Sequence, residues 1–317
     1  MRRLPTVLLV LLAGCSLPVP SPLPDAGNAR LRFALIGDTP YSTAEAWALD
    51  AMIEQMNRED LAFVIHVGDI TSGRGPCSDE WFEARKLQFG KFRDPFVIVP
   101  GDNDWVDCHR TGFDPLERLE KFRELFESGD AGLAARGIRL ERQSGRHSEY
   151  REHVRWIAGN ALFVGVNVQG SNNNLGRTKA MDAEYRSRMD AVLAWLQDSL
   201  RLARERRLSG MLIFAQGDPD FEGRRQRKGP DGFAEFRNAL RELALRFGGP
   251  VLFVNGDTHF YKLDKPLADP ATGAPIGNFT RVVVFGSPLT RWIRAEIDPS
   301  SPQLFELSPA PQSAPGQ

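Results

Sequence analysis

Five apolar runs in this chain close on the same dipeptide, Gly37-Asp38, Gly68-Asp69, Gly101-Asp102, Gly217-Asp218 and Gly256-Asp257. With 29 Gly and 22 Asp in 317 residues, chance gives roughly two such pairs at this near-average Gly usage. Six occur, and only Gly129-Asp130 does not follow an apolar run. A β-strand that ends in Gly can turn sharply, which leaves the next residue at the carboxyl edge of the sheet. Open α/β sheets bind their ligands at that edge. Five carboxylates gathered there repel one another unless cations lie between them. The pattern therefore predicts a sheet built around a metal site.

The segments between the pairs alternate in period. Leu31–Ile36, Leu61–Val67, Pro95–Val99, Ala161–Val168, Met211–Ala215, Val251–Val254 and Arg281–Phe285 read as buried strands. Helices are expected behind the capping box Ser42-x-x-Glu45, over Trp81–Phe92, over Asp114–Phe126 with Leu116, Leu119, Phe122 and Leu125 inward, along the Tyr185–Leu200 stripe and along Phe233–Phe247. The charged stretch Ala131–Arg155 fits neither period. Strands alternating with helices predict an α/β layered domain over residues 30–308, followed by a disordered tail at 309–317. A net charge of −1 gives no electrostatic reason to expect nucleic acid.

The first residues read as a signal. Arg2 and Arg3 precede an apolar run, Val7–Leu12, that is too short to span a bilayer. Leu12-Ala13-Gly14-Cys15 resembles the lipobox of bacterial lipoproteins, which implies removal of residues 1–14 and lipidation of Cys15. Ser16 after the cysteine implies the outer membrane, facing the periplasm, with the lipid as the one membrane contact. Residues 15–29 then form a Pro-rich tether. An exported compartment permits disulfides, and Cys77 and Cys108 are the remaining pair.

In order and spacing, Gly37-Asp38-Thr39-Pro40-Tyr41, Gly68-Asp69, Gly101-Asp102-Asn103-Asp104, Gln216-Gly217-Asp218 and Gly256-Asp257-Thr258-His259 resemble the motifs of the calcineurin-like metallophosphoesterases. The resemblance implies a four-layer αββα sandwich of two mixed sheets flanked by helices. It also implies two divalent metals that share one carboxylate and activate a hydroxide for attack on the phosphorus of a small mono- or diester. Asp69 matches the shared carboxylate and Asp38 the first aspartate, with Pro40 where a His ligand often stands. Asp102 falls on the family's ligand Asn and Asn103 on its catalytic His. A one-residue shift would instead make Asn103 the ligand. Asp218 or Gln216 replaces the fourth-motif His, Asp257 replaces the first His of the last motif, and His259 keeps the second.

These departures exchange imidazole for carboxylate, which favours Mn²⁺, Mg²⁺ or Ca²⁺, with Fe or Zn²⁺ compatible at the His259 position. Asn103 can orient a phosphoryl group but cannot protonate a leaving alkoxide. His109 is the nearest spare acid in sequence, and His66 is expected to pack within the sheet. Tyr41 and Asn172 are candidate substrate contacts, against the plainer readings of a pocket wall and an Asn-rich turn. Trp105 is read either as a stacking surface or as rim packing. Arg224, Arg225, Arg227 and Lys228 form either a solvated loop or an anion-collecting lid. The expected assembly is a monomer. The rival function is an envelope protein that binds its ligand without hydrolysing it.

Overall fold

The computed structural model describes residues 30–127, 138–223 and 229–310. The signal segment, Cys15 and its tether, Gly129-Asp130, the Arg224–Lys228 basic run and the tail beyond residue 310 lie outside the described residues. Chain order gives β1 (Leu31–Ile36), α1 (Thr43–Met56), β2 (Val64–His66), α2 (Asp79–Phe89), β3 (Phe96–Ile98), α3 (Pro115–Phe126), β4 (Glu141–Arg142), β5 (Val154–Ala158) and β6 (Ala161–Gly165). It continues with the single turn α4 (Gly170–Asn173), α5 (Lys179–Glu205), β7 (Gly210–Phe214), α6 (Ala234–Phe247), β8 (Val251–Asn255), β9 (Lys262–Asp264), β10 (Phe279–Val283), β11 (Ile293–Ile297) and β12 (Phe305–Pro309).

The strands form two mixed sheets, ordered β12-β11-β1-β2-β3 and β4-β5-β6-β7-β8-β10-β9. Alternation along each strand builds the layers. In β1, Phe33 and Leu35 face the second sheet, where they meet Phe163, Phe214, Val254 and Trp156. Ala34 and Ile36 face the other way, onto Leu49, Ile53 and Phe89 of α1 and α2. In β7, Leu212 and Phe214 enter the inter-sheet core, while Met211 and Ile213 pack under α5 and α6. Both faces of the central strands are covered, which is why they read as continuous apolar runs. The result is the expected αββα sandwich.

Parallel pairing of β1 with β2 and β2 with β3, and of β6 with β7 and β7 with β8, points the carboxyl ends of these strands to one edge. The hydrogen bonds Ser287 N–H to Asp38 O (2.8 Å) and Asp257 N–H to Asp38 Oδ1 (3.0 Å) join the two sheets there.

Several boundaries differ from expectation. The second helix starts at Asp79, because the Ser78 hydroxyl accepts from Trp81 N–H and caps it there. Leu116 lies in the first turn of α3 and is exposed, not inward. The Ala131–Arg155 stretch contains β4 and begins β5, whose charged residues pair across the sheet edge. β12 runs to Pro309, into the expected tail; proline is tolerated there because β12 is an edge strand.

Candidate metal centre

The five Gly-Asp pairs do meet at this edge, though the glycines act by a different means than expected. The left-handed backbone is carried mainly by the acids, at Asp38 (φ 50°), Asp69 (φ 61°) and Asp257 (φ 70°), and by His259 (φ 66°). Asp and His adopt that region more readily than most residues. Of the five glycines only Gly68 does so. The others supply room. A Cβ on Gly256 would overlap Asp38 Oδ2, and one on Gly101 would overlap Asp69 Oδ1. One on Gly170, at the end of the β6 connection, would stand 2.6 Å from both Asp102 Oδ2 and Asp257 Oδ1. Each of these glycines is a seat for a carboxylate from a neighbouring strand end.

Asp69 is the hub of the cluster. Its Oδ1 accepts from Asn103 N–H (2.9 Å), and its Oδ2 accepts from Tyr41 O–H (3.0 Å) and Gln216 Nε2–H (3.0 Å). The Tyr41 oxygen also accepts from Asn103 Nδ2 (3.0 Å) and lies 3.2 Å from His259 Nε2. His259 Nδ1–H donates to Ser287 O (2.7 Å), so the Nε2 lone pair faces the cluster, 3.7 Å from Asp38 Oδ1. Asp38 Oδ1 accepts from Asp257 N–H, while its Oδ2 is buried without a hydrogen-bond partner.

Without cations, this packing favours protonated acids. Burial, with further repulsion from Asp257, pushes the Asp38 carboxyl up to about 8 against the hydrogen bond from Asp257 N–H. Burial and the charges of Asp102, Asp104 and Asp38 hold Asp69 well above the usual carboxylate range. Burial and the charge of Asp257 do the same for Asp102. Tyr41 is held well above its ordinary value by burial and by Asp69.

The motif residues separate in the structure. Asp102 joins the cluster, and its Oδ2 accepts from Ser171 O–H (2.7 Å). Asn103 sends its side chain to Tyr41. Asp104 does not enter the cluster. Its fully buried carboxylate accepts the backbone N–H of Asp69 (2.9 Å), Ile70 (2.8 Å) and Gly101 (2.8 Å), and so ties the end of β2 to that of β3. In the fourth motif, Gln216 faces Asp38 and Asp69, whereas Asp218 turns to Arg281 (3.7 Å) and accepts from Asp220 N–H. Asp218 reaches the centre through its backbone N–H, which donates to Asp257 Oδ2 (3.2 Å).

Other expected contacts lie elsewhere. The Asn172 side chain donates to Leu175 O and Pro230 O and accepts from Gly232 N–H, so it braces two loops. Trp105 is fully buried beneath Arg188, out of reach of a substrate ring. His109 is exposed on the 3-10 turn Val106–Thr111, beside Arg177. His66 packs within its sheet as expected, accepting from Gly68 N–H and donating to Thr39 O. Cys77 and Cys108 form a disulfide, and both sulfurs touch Asn103 O, at 3.6 and 3.3 Å. Ser171 was not singled out from sequence; its only mark there is its place after a strand end.

Among the described residues, no three His, Cys, Asp or Glu side chains stand as a formed coordination group. The donors nevertheless suit a hard or borderline divalent cation, being carboxylate oxygens with one imidazole and one buried, unpartnered oxygen at Asp38. Two surface cavities, of about 830 and 680 Å³, contain no residue of this cluster.

A model of the calcineurin-like phosphoesterases matches residues 31–261. No curated protein sequence matches the chain. Solved structures with the same fold include a dimetal phosphatase from Danio rerio, at 16% identity over 84% of this chain and 92% of that one, with a TM-score of 0.50. PhoD shares 13% identity over 87% of this chain and 66% of that one, with a TM-score of 0.51. A purple acid phosphatase from yellow lupin seeds shares 11% identity over 86% of this chain and 50% of that one, also with a TM-score of 0.51.

Proposed function

This chain belongs to the calcineurin-like phosphoesterase family, and from that premise we propose that it hydrolyses a small phosphate ester with the help of divalent cations. One observation carries the reading. Asp38, Asp69 and Asp102 are buried together with the Nε2 face of His259 at one sheet edge, and Asp38 Oδ2 has no hydrogen-bond partner among the described residues. Asp38, Asp69 and His259 would hold one cation position; Asp69, Asp102 and Asp257 would offer a second. A bound cation supplies Lewis-acid polarisation of a phosphoryl oxygen and lowers the pKa of water.

The protein's own groups do the rest. Ser287 O fixes the His259 tautomer, and Asp104 holds the turn that carries Asp69. Asn103 Nδ2 and Tyr41 O–H are hydrogen-bond donors at the cluster, suited to orienting phosphoryl oxygens. Because Asn103 cannot donate a proton as an acid, good leaving groups should be favoured. On the Leu12–Cys15 motif we further propose a lipid anchor at Cys15 facing the periplasm.

The test is turnover of phosphomonoesters and phosphodiesters by the purified protein with added Mn²⁺ or Mg²⁺. Activity that disappears in Asp69→Ala supports the reading. Retention of cations without turnover of any ester would instead favour a ligand-binding protein.

A further inference from the structure

Gln216 decides how many cations this centre can hold. The side chain is fully buried and its amide is oriented by its neighbours. Gly170 N–H donates to Oε1 (2.7 Å), which turns the –NH₂ group onto Asp69 Oδ2 (3.0 Å) and towards Asp38 Oδ1 (3.5 Å). An amide nitrogen has no lone pair to give a metal. Flipping the amide would set –NH₂ against the Gly170 N–H, two buried donors face to face, and leave both unsatisfied.

The same contact limits Asp69. A carboxylate that serves two cations needs two open lone pairs, both on one oxygen or one on each. Asp69 Oδ2 already receives two donors, Tyr41 O–H and Gln216 –NH₂, and Oδ1 receives Asn103 N–H. One lone pair, on Oδ1, remains. The partial positive charge of the –NH₂ group faces Asp69 Oδ2, where it offsets part of the charge that a second ion sharing Asp69 would otherwise neutralise.

We propose that this protein binds a single divalent cation tightly, with the Gln216 carboxamide in place of a second one. The high-affinity ion belongs to Asp38, Asp69 and His259, which offer the buried Asp38 Oδ2, without a hydrogen-bond partner among the described residues, and the Nε2 lone pair. A second ion at Asp102 and Asp257, a site short of a donor, binds at least about 10-fold more weakly, since even the loss of an outer-shell partner costs a metal site that much. The inference rests on the phosphoesterase reading only in taking the cluster to be a cation site.

The test counts ions in the purified full chain. Calorimetric titration of metal-free protein with Mn²⁺, with metal analysis after desalting, is expected to give one tight equivalent. Electron paramagnetic resonance of the loaded protein should show the hyperfine pattern of an isolated Mn²⁺. Gln216→His, which replaces –NH₂ with a lone pair, should raise the tight stoichiometry to two and give an exchange-coupled spectrum. Two wild-type equivalents of similar affinity, a coupled wild-type spectrum, or no retained ion would overturn the proposal. If Gln216→His does not fold, the wild-type count and spectrum decide alone. Ester turnover with two tight ions would refute this inference and leave the phosphoesterase reading standing; one tight ion without turnover would do the reverse.

Discussion

At residue scale, Asn103 and His153 show how one side chain sets a measurable property. Asn103 reaches the cluster through Tyr41 and offers only neutral N–H groups. Asn103→His should therefore restore proton donation to a leaving group. We expect kcat/KM on an alkyl phosphate to rise about 10-fold or more relative to an activated nitrophenyl ester; equal changes on both substrates would show that leaving-group protonation does not limit the reaction. His153 is fully buried, donates from Nδ1 to Gln143 Oε1 (2.6 Å) and has no hydrogen-bond partner at Nε2 among the described residues. Burial lowers it to about 3, against the opposing pull of Glu152. A depressed histidine is neutral in the fold and takes its proton on unfolding. Its stabilising contribution is complete above about pH 6.5 and is lost as pH falls towards 3. Between pH 5.5 and 4, His153→Gln should flatten the acid-side slope of unfolding free energy by roughly 1.4 kcal/mol per pH unit relative to wild type. Parallel slopes in chemical denaturation would contradict this.

At element scale, the most unusual segment is Ser171–Asn174, where consecutive non-glycine residues take left-handed φ values of 47°, 55°, 54° and 67°. This turn sets the Ser171 hydroxyl on Asp102 Oδ2 and Asp107 Oδ1. It is held from below by Arg188, which donates to Asn167 O, Asn173 Oδ1 and Asn173 O. Asn172→Val should cost at least about 1–2 kcal/mol, since a β-branched residue resists that region far more than asparagine does and the side-chain hydrogen bonds to Leu175, Pro230 and Gly232 are lost with it; an unchanged denaturation midpoint would show that the turn relaxes freely. The Asn run was legible as a turn but not as a left-handed one, because the conformation depends on Arg188, distant in sequence. The strands of the inter-sheet core were legible because both faces are apolar. β11 and β12 were not, since their alternating charged residues resemble loop composition. At the fourth motif the sequence left Gln216 and Asp218 open, and the turn of Gln216 onto Asp69 with the pairing of Asp218 to Arg281 separates them.

At the scale of the molecule, two cross-links bear on the centre. The Cys77–Cys108 disulfide spans a sequence separation of 31 and packs on Asn103 O. Its reduction should lower stability by about 3–4 kcal/mol in the chain-entropy model; urea unfolding with and without reductant measures it, and coincident curves would show that packing alone holds the loop. The second link is steric. Asp38 follows a strand of the first sheet and Gly256 a strand of the second, and the acid's Oδ2 occupies the space where a side chain at 256 would begin. The two positions are consequently one heritable unit. A lineage can neither enlarge residue 256 while keeping the acid in place nor move the acid without opening a hole beside that glycine. Drift at this edge must proceed by paired steps, with each sheet constraining the ancestry of the other.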